Sequence, residues 1–297
     1  MRLFTRPDLD GIVSAAMITD MEEISEVIYV HPRDMQNGSV EVEEGDAISN
    51  LPFHPNAALW FDHHLYTDVD ELHMPEGVKG KIGKAPSAAR QVYEYYASED
   101  LKKYADMLED VDRFDSAELG YGDILNPQGW VLLGFTIDSR TGLGASEDYC
   151  NELIILIRAG GRVDEILAHP LVCERVERYK LEEDQFKIAM IAHTKLKKNI
   201  CINDFRDMDT IPAGNRFLVY AVFPHHNINI RISKIPGNDL KVLVAVAKSI
   251  FYRNHPVNIG ELMAKYGGGG MGGAGSCTFY NNEADDKIEE LIKALKM

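Results

Sequence analysis

Residues 57–64, AALWFDHH, are a run of apolar residues that ends in three polar side chains. The apolar run shows no alternation with polar residues, which is typical of a strand covered on both faces in a parallel sheet. Asp62, His63 and His64 would then follow the carboxyl end of that strand, where the loops of an open parallel sheet converge on a crevice. We therefore expect an α/β fold with functional groups at one edge of the sheet.

The residues around this segment predict the rest of an α/β domain. The chain opens with the strand-like MRLFT, a turn and a helix-like segment, and EVIYV and DAISN predict two further strands. Helical spacing dominates from a helix capped by Ser87 to residue 193, although GWVLLGFTID is compatible with either a strand or a helix. The segment 171–193 has no proline or glycine and is expected to form one long linker helix.

The sequence pattern changes after residue 193. RFLVYAVF, NINIRISK and LKVLVAVA indicate strands, and helical VNIGELMAKY, a glycine run, the short strand SCTFY and a final helix follow. With 297 residues, the chain is long enough for two cores. We expect a parallel-sheet α/β domain at 1–193 that includes the linker helix, and a smaller α+β domain at 194–297.

The net charge of −16 is unevenly distributed. Residues 1–194 carry 17 basic and 37 acidic side chains, whereas residues 195–297 carry 14 and 10. An acidic first domain disfavours duplex DNA, so we expect a small phosphorylated substrate or a short single-stranded oligonucleotide. No apolar run is long enough to span a membrane and no signal peptide is evident, so a cytoplasmic location is expected. The four cysteines form no CxxC pair and are expected to be reduced thiols.

Acidic and imidazole side chains follow two of the predicted strands. Asp8 and Asp10 come after the first strand, and Asp62 and His63 come after the fourth. This mixture of carboxylates and imidazole suits Mn²⁺, Mg²⁺ or Fe²⁺ better than a closed zinc site. Such a cluster can activate water and neutralise phosphate oxygens. The alternative interpretation of the DHH segment alone is a loop cluster without metal.

Three ordered motifs, TRPDLDG, WFDHH and KYGGGGMGGAG, resemble the first, signature and C-terminal glycine motifs of the DHH phosphoesterase superfamily. The resemblance spans nearly the whole chain and is greatest to exopolyphosphatase-related members. It implies a DHH domain followed by a DHH-associated, substrate-binding domain. It also implies metal-dependent hydrolysis of polyphosphate, short oligonucleotides or nucleotides, with Mn²⁺ as the expected ion and Mg²⁺ as the alternative. A homodimer is compatible with it.

The resemblance assigns roles to residues at matching positions. It places metal ligands at Asp8, Asp10 and His63. His64 matches the histidine that faces the phosphate, and Asp62 is expected to orient its neighbours or the metal shell.

The resemblance also implies a further metal-binding aspartate after the signature motif. Asp112 fits the distance, and Asp138 fits the Gly-x-x-x-Asp context, so both remain candidates. In the second domain Arg231 matches an arginine that reaches a phosphate or terminal nucleotide. Backbone N–H groups of the glycine run are expected to form a concave nest for an anion. The glycines concerned are Gly268, Gly269 and Gly270.

Three positions depart from the family pattern. Arg6 replaces the histidine of the first motif, Asn50 replaces a metal-bridging aspartate, and Met271 replaces a substrate-touching histidine. Arginine is no metal ligand, and asparagine is a weaker ligand than a carboxylate. We therefore expect one metal ion, with Arg6 contacting a phosphate oxygen as a catalytic group and Asn50 on the substrate side. The alternative is a degenerate site that binds a phosphate or nucleotide without hydrolysing it.

Overall fold

A computed structural model describes residues 1–64 and 73–296 of the chain. Over these residues it is an α/β protein with two β-sheets, which confirms the predicted fold class. None of the helices within the described ranges is both long and apolar enough to cross a bilayer.

The chain forms two compact units. One comprises residues 1–119 and 127–179, and the other comprises residues 120–126 and the chain from Lys180 onward. The domain boundary expected after residue 193 stays a prediction.

The first unit contains a five-stranded parallel sheet of order β2-β1-β3-β4-β5. Its strands are β1 (Arg2–Thr5), β2 (Glu26–Tyr29), β3 (Asp46–Ser49), β4 (Ala57–Asp62) and β5 (Lys79–Ile82). The parallel sheet and the first four strands were predicted from the sequence.

Strand β4 is buried on both faces, as its apolar sequence requires. Trp60 packs into an apolar cluster with Phe4 and Ile48. On the opposite face, the ring of Phe61 lies with its centroid 5.3 Å from that of Tyr95. This burial fixes the strand in the sheet and brings Asp62 to its carboxyl end.

The described residues form twelve α-helices, which connect and cover the strands. They are α1 (Leu9–Met21), α2 (Pro32–Gln36), α3 (Ala88–Tyr96), α4 (Ala105–Asp115), α5 (Tyr121–Leu125), α6 (Gly129–Ile137), α7 (Glu147–Arg158), α8 (Val163–Ala168), α9 (Pro170–Ala192), α10 (Leu218–Val222), α11 (Ile259–Ala264) and α12 (Ala284–Leu295). Helix α9 confirms the long helix predicted from the absence of proline and glycine.

Two apolar segments are helical. GWVLLGFTID, which was compatible with a strand or a helix, contains α6. All its helical residues after Gly129 are buried, so the sequence does not show the alternation of apolar and polar residues, with a period of 3.6, that marks a half-exposed helix. RFLVYAVF was predicted to be a strand, which is wrong, because it contains α10. The side chain of Asn215 accepts a hydrogen bond from Phe217 N at 2.9 Å and turns the backbone before this helix.

The second unit contains a six-stranded sheet of order β10-β11-β9-β8-β7-β6, in which only the β7–β8 pair is parallel among the described strands. The strands are β6 (Thr194–Lys197), β7 (Ile200–Asp204), β8 (Ile228–Ile235), β9 (Asn238–Lys248), β10 (Gly269–Met271) and β11 (Ala274–Tyr280). Ile228, Ile230 and Ile232 of β8 enter the apolar core with Ile288 and Leu291 of α12. Because side chains alternate along a strand, Arg231 lies on the opposite face of the sheet.

Candidate metal and phosphate site

The turn after β1 positions the two aspartates of the first motif. Asp8 is the N-cap residue of α1, and its Oδ1 atom accepts a hydrogen bond from Gly11 N at 3.0 Å. A Cβ at Gly11 would lie 2.2 Å from the carbonyl oxygen of Arg6, so only glycine allows this turn. The chain therefore begins α1 directly at the edge of the sheet.

Asp10 is fixed by the start of helix α3. It is 2% exposed, and its two carboxylate oxygens accept hydrogen bonds from Ala88 N at 2.9 Å and Ala89 N at 2.7 Å. The predicted cap of this helix is confirmed, since Ser87 Oγ accepts a hydrogen bond from Arg90 N. Backbone N–H groups at a helix start stabilise a carboxylate, which compensates in part for burying Asp10.

His63 faces Asp10 and a second carboxylate, Asp115. Its Nε2 atom lies 3.1 Å from Asp115 Oδ2 and 3.6 Å from Asp10 Oδ2. Its Nδ1 atom contacts the carbonyl oxygen of Ala85 at 3.2 Å. A hydrogen bond from Nδ1 to a carbonyl directs Nε2 toward a metal ion, and one ligand atom from each of the three residues lies within 4.8 Å of the others.

The ionisation of this cluster reflects its burial. Burial, and then the charge of Asp115, raise the pKa of Asp10 to about 7. Burial lowers the pKa of His63, but the contact with Asp115 and the charges of both carboxylates outweigh it and raise that pKa to about 9. Burial likewise raises the pKa of Asp115, yet His63 brings it below its ordinary value. A positive charge thus stabilises the pair of carboxylates, and in the metal-free protein the imidazolium provides it.

Asp62 organises the turn that carries the two histidines. Its Oδ1 atom accepts hydrogen bonds from His63 N at 2.8 Å, His64 N at 3.1 Å and His64 Nδ1 at 2.8 Å. With Nδ1 engaged in this way, Nε2 of His64 points away from Asp62. The Asp62, His63 and His64 ligand atoms also lie within 4.8 Å of one another, but three donors already occupy Asp62 Oδ1.

The two aspartates proposed from the sequence as further ligands make other contacts. Asp112 accepts hydrogen bonds from Ser87 Oγ at 2.6 Å and Arg90 Nε at 2.8 Å. Asp138 accepts hydrogen bonds from the N and Nε atoms of Arg140. Among the described residues, neither belongs to a group of side chains placed to hold a metal ion.

Arg6 and Asn50, which depart from the family pattern, both contact Asp8. Arg6 Nε lies 3.1 Å from Asp8 Oδ2, and Asn50 Nδ2 donates a hydrogen bond to Asp8 Oδ1 at 3.0 Å. Asn50 is fully buried and has a φ of 57°, in the left-handed region that asparagine tolerates. Its Oδ1 atom has no hydrogen-bond partner in the described part of the chain.

In the second unit, two aromatic rings hold Arg231. Its Cζ atom lies 5.6 Å from the ring centroid of Phe186 and 5.3 Å from that of Phe205. Burial lowers the pKa of Arg231, and no carboxylate within the described ranges forms an ion pair with it. A cation stacked on rings keeps its charge, so this guanidinium is suited to binding an anion.

The glycine run forms a strand and not the expected nest. Gly269–Met271 is β10, which pairs with β11 as an antiparallel hairpin. A Cβ at Gly268 would lie 2.0 Å from Ser276 O, and one at Gly270 would lie 2.3 Å from Ala274 O. Glycine is therefore required by the close approach of two strands. Met271, in place of the family's histidine, is 60% exposed.

The sheet register nevertheless relates this run to Arg231. Arg231 pairs with Ala245, Ala245 pairs with Ser276, and Ser276 pairs with Gly269. Residues directly opposite one another on neighbouring strands share a face of the sheet. Arg231 and Gly269 thus lie in one row of the same face, separated by two small residues.

The fold agrees with known proteins. The chain is similar to the structure of a pGpG-specific phosphodiesterase, PggH, from Vibrio cholerae, with a TM-score of 0.83 and 39% sequence identity over 99% of this chain and 98% of that one. The chain belongs to the DHH phosphoesterase superfamily. The resemblance found in its motifs is confirmed, and so is the enzyme class, a hydrolase of phosphate esters.

Two other solved structures share the DHH fold at low identity. An exopolyphosphatase-related protein from Bacteroides fragilis has a TM-score of 0.55 and 15% identity over 98% of this chain and 91% of its own. RecJ from Thermus thermophilus, in complex with Mn²⁺, has a TM-score of 0.52 and 12% identity over 93% of this chain and 48% of its own. No protein-family model and no curated protein matches the chain.

The DHH superfamily implies a divalent metal ion, and the residues present fit one. His63 Nε2 is buried without a hydrogen bond of good geometry, although it faces two carboxylates. Two carboxylates and one imidazole are the donors that Mn²⁺, Mg²⁺ or Fe²⁺ accept.

Asp115 is the residue of this cluster that sequence reasoning missed. It ends α4, one helical turn after Asp112, in the segment EDVDRFD. The signal was present as an i, i+3 pair of aspartates, but the pair alone does not reveal which member faces His63.

Proposed function

We propose that this protein hydrolyses short 5′-phosphorylated oligonucleotides of the pGpG type with a bound Mn²⁺ ion. The observation that carries the proposal is the 39% identity over 99% of the chain to a pGpG-specific phosphodiesterase. The cluster of two carboxylates and a histidine supports it independently.

We propose Asp10, His63 and Asp115 as the protein ligands of the ion. All three are positioned before any ion arrives: Asp10 by the start of α3, His63 by Ala85, and Asp115 by its contact with His63. A divalent ion at such a cluster supplies Lewis-acid activation of water and neutralises charge on the phosphate. Mn²⁺ is preferred because the ligand set mixes hard carboxylates with a borderline imidazole.

The residues beside the ligands would act on the phosphate. We assign His64 to the phosphate: Asp62 accepts the Nδ1 proton, and the imidazolium form of His64 can then donate a hydrogen bond from Nε2 to a phosphate oxygen. Arg6, anchored on Asp8, would add a positive charge beside the same phosphate. Hydrolysis adds water across the phosphodiester bond: an oxygen–phosphorus bond forms, the bond to the 3′ oxygen breaks, that oxygen takes a proton, and pGpG yields two GMP molecules.

Arg231 of the second unit is our candidate for binding a phosphate group. Arg231 carries a charge that no described carboxylate neutralises, and Gly269 lies in its row of the sheet. We therefore assign Arg231 to the 5′-phosphate of the substrate. A substrate without a terminal phosphate should bind weakly.

Turnover on a defined panel tests this function. The metal-stripped protein would be supplied with Mn²⁺ and pGpG, GpG without the 5′-phosphate, or polyphosphate, and products would be separated by chromatography. We expect GMP from pGpG, little reaction of GpG, and no reaction with the Asp10→Asn variant. Faster release of phosphate from polyphosphate than of GMP from pGpG would instead favour an exopolyphosphatase.

A binding protein without catalysis is the competing function, because Arg6, Asn50 and Met271 depart from the family pattern. Isothermal titration with pGpG distinguishes it. Tight binding together with undetectable turnover, in a protein shown to have bound Mn²⁺, would support the competing function.

A further inference from the structure

We propose that Asp8 anchors Arg6 and does not bind metal, so that each chain holds a single divalent ion at Asp10, His63 and Asp115. The inference rests on the proposed function and deepens it, because it defines what surrounds the phosphate: one metal ion on one side and one guanidinium on the other. It also changes the role that the family resemblance implied for Asp8.

The carboxylate of Asp8 is already occupied by donors of the chain itself. Oδ1 accepts two hydrogen bonds, from Gly11 N and Asn50 Nδ2, each at 3.0 Å, which uses both of its lone pairs. Oδ2 is 3.1 Å from Arg6 Nε. A metal ion at Oδ1 would have to displace the cap of α1 or the amide of a buried asparagine, and one at Oδ2 would lie beside the cationic side chain of Arg6.

Asp10 presents the opposite arrangement. Each of its oxygens accepts one backbone N–H, so each retains a lone pair, and no basic side chain among the described residues pairs with it except His63. Its Oδ2 atom faces His63 Nε2, which also faces Asp115. The three residues therefore converge on one point, whereas Asp8 is outside the group.

Arg6 and Asn50 also oppose a cation next to Asp8. Arg6 carries a permanent positive charge, and a divalent ion beside it would be repelled. Asn50 directs the hydrogens of its Nδ2 group at Asp8, where a ligand for a cation would have to present an oxygen. The guanidinium thus supplies positive charge on the side of the site that lacks a metal.

The number of bound ions tests the inference without any measurement of activity. Protein dialysed against Mn²⁺ and passed through a desalting column would be analysed by elemental mass spectrometry, and Mn²⁺ titrations would be followed by calorimetry. We expect one ion per chain. Two ions per chain would overturn the inference. This measurement uses the wild-type protein alone.

Two matched variants then identify the ligand. Asp8→Asn retains a side chain that caps a helix, so the protein should fold, keep one ion and bind it within about threefold of wild type. Asp10→Asn, the same chemical change two residues away, should lose the ion. Loss of the ion in Asp8→Asn with retention in Asp10→Asn would overturn the assignment. Two ions with normal hydrolysis would refute only this inference, and one ion without hydrolysis would refute only the proposed function.

Discussion

One pair of substitutions can show whether Asp115 or Asp112 is the metal ligand. In Asp115→Asn the carboxylate 3.1 Å from His63 Nε2 becomes a neutral amide of the same shape. In Asp112→Asn the same change occurs one helical turn earlier, where the carboxylate contacts Ser87 and Arg90 instead. Both variants replace an aspartate of α4 by asparagine. They differ only in the partner that loses a negative charge, which is His63 in one variant and Arg90 in the other.

The expected loss of metal affinity follows from the electrostatics of the metal-free site. The pKa of His63 rises from its ordinary value near 6.5 to about 9, which corresponds to about 3 kcal/mol of attraction for one positive charge. The contact with Asp115 contributes most to raising this pKa and the charge of Asp10 contributes as well, and a dication is attracted about twice as strongly as a single charge. Asp115→Asn should therefore weaken Mn²⁺ binding by roughly two orders of magnitude.

Calorimetric titration with Mn²⁺ measures this difference, and circular dichroism reports whether each variant is folded. Asp112→Asn should bind Mn²⁺ nearly as well as wild type. It should lose about 1–3 kcal/mol of the free energy of unfolding, because Arg90 loses its charged partner. Equal Mn²⁺ affinity in Asp115→Asn and wild type would refute the assignment of Asp115 as a ligand.

Three further predictions concern other parts of the molecule. Phe205→Leu removes one of the rings that hold Arg231 and should raise KM for pGpG by about 3- to 30-fold with kcat little changed, and an unchanged KM in steady-state assays would contradict this. Asp46→Asn removes the charge with which Arg2 pairs and should lower the urea concentration at the midpoint of unfolding, without lowering turnover per folded molecule. Manganese binding should tighten by about tenfold per pH unit between pH 7 and pH 9, because His63 must lose a proton before Nε2 can bind the ion, and more steeply below pH 7, where Asp10 must lose one too. A dissociation constant that does not change between pH 6 and pH 8 would count against this role of the histidine.

The sequence predicted the parts of the fold that have strong local signals. The apolar run before Asp62 requires a buried strand, and Ser87 at a helix start is a standard cap. Strand β5 was not predicted, since KGKI is short and polar. It pairs at the sheet edge because Gly80 lets the two backbones approach: a Cβ there would lie 2.1 Å from Trp60 O. Such a contact is set by the neighbouring strand and leaves little trace in the local sequence.

The site was predictable in composition but not in geometry. Asp112 and Asp115 are three residues apart on one helix, so they project only about 60° apart around its axis, and packing decides which one faces the sheet edge. The departures Arg6 and Asn50 were visible in the sequence. Arg6 and Asn50 both contact Asp8 because β1 and β3 are neighbours in the sheet. The spacing of residues along the chain does not specify which strands are neighbours.

The most direct test of the central claim is to add Mn²⁺ to a complex that has already formed. Metal-stripped protein would be equilibrated with pGpG, unbound nucleotide would be removed, and the bound nucleotide would be analysed after Mn²⁺ is added. We predict that the bound pGpG is converted into GMP in wild type and persists in Asp10→Asn. Intact pGpG in wild type after Mn²⁺ has bound would contradict catalysis at this site and would leave a binding protein.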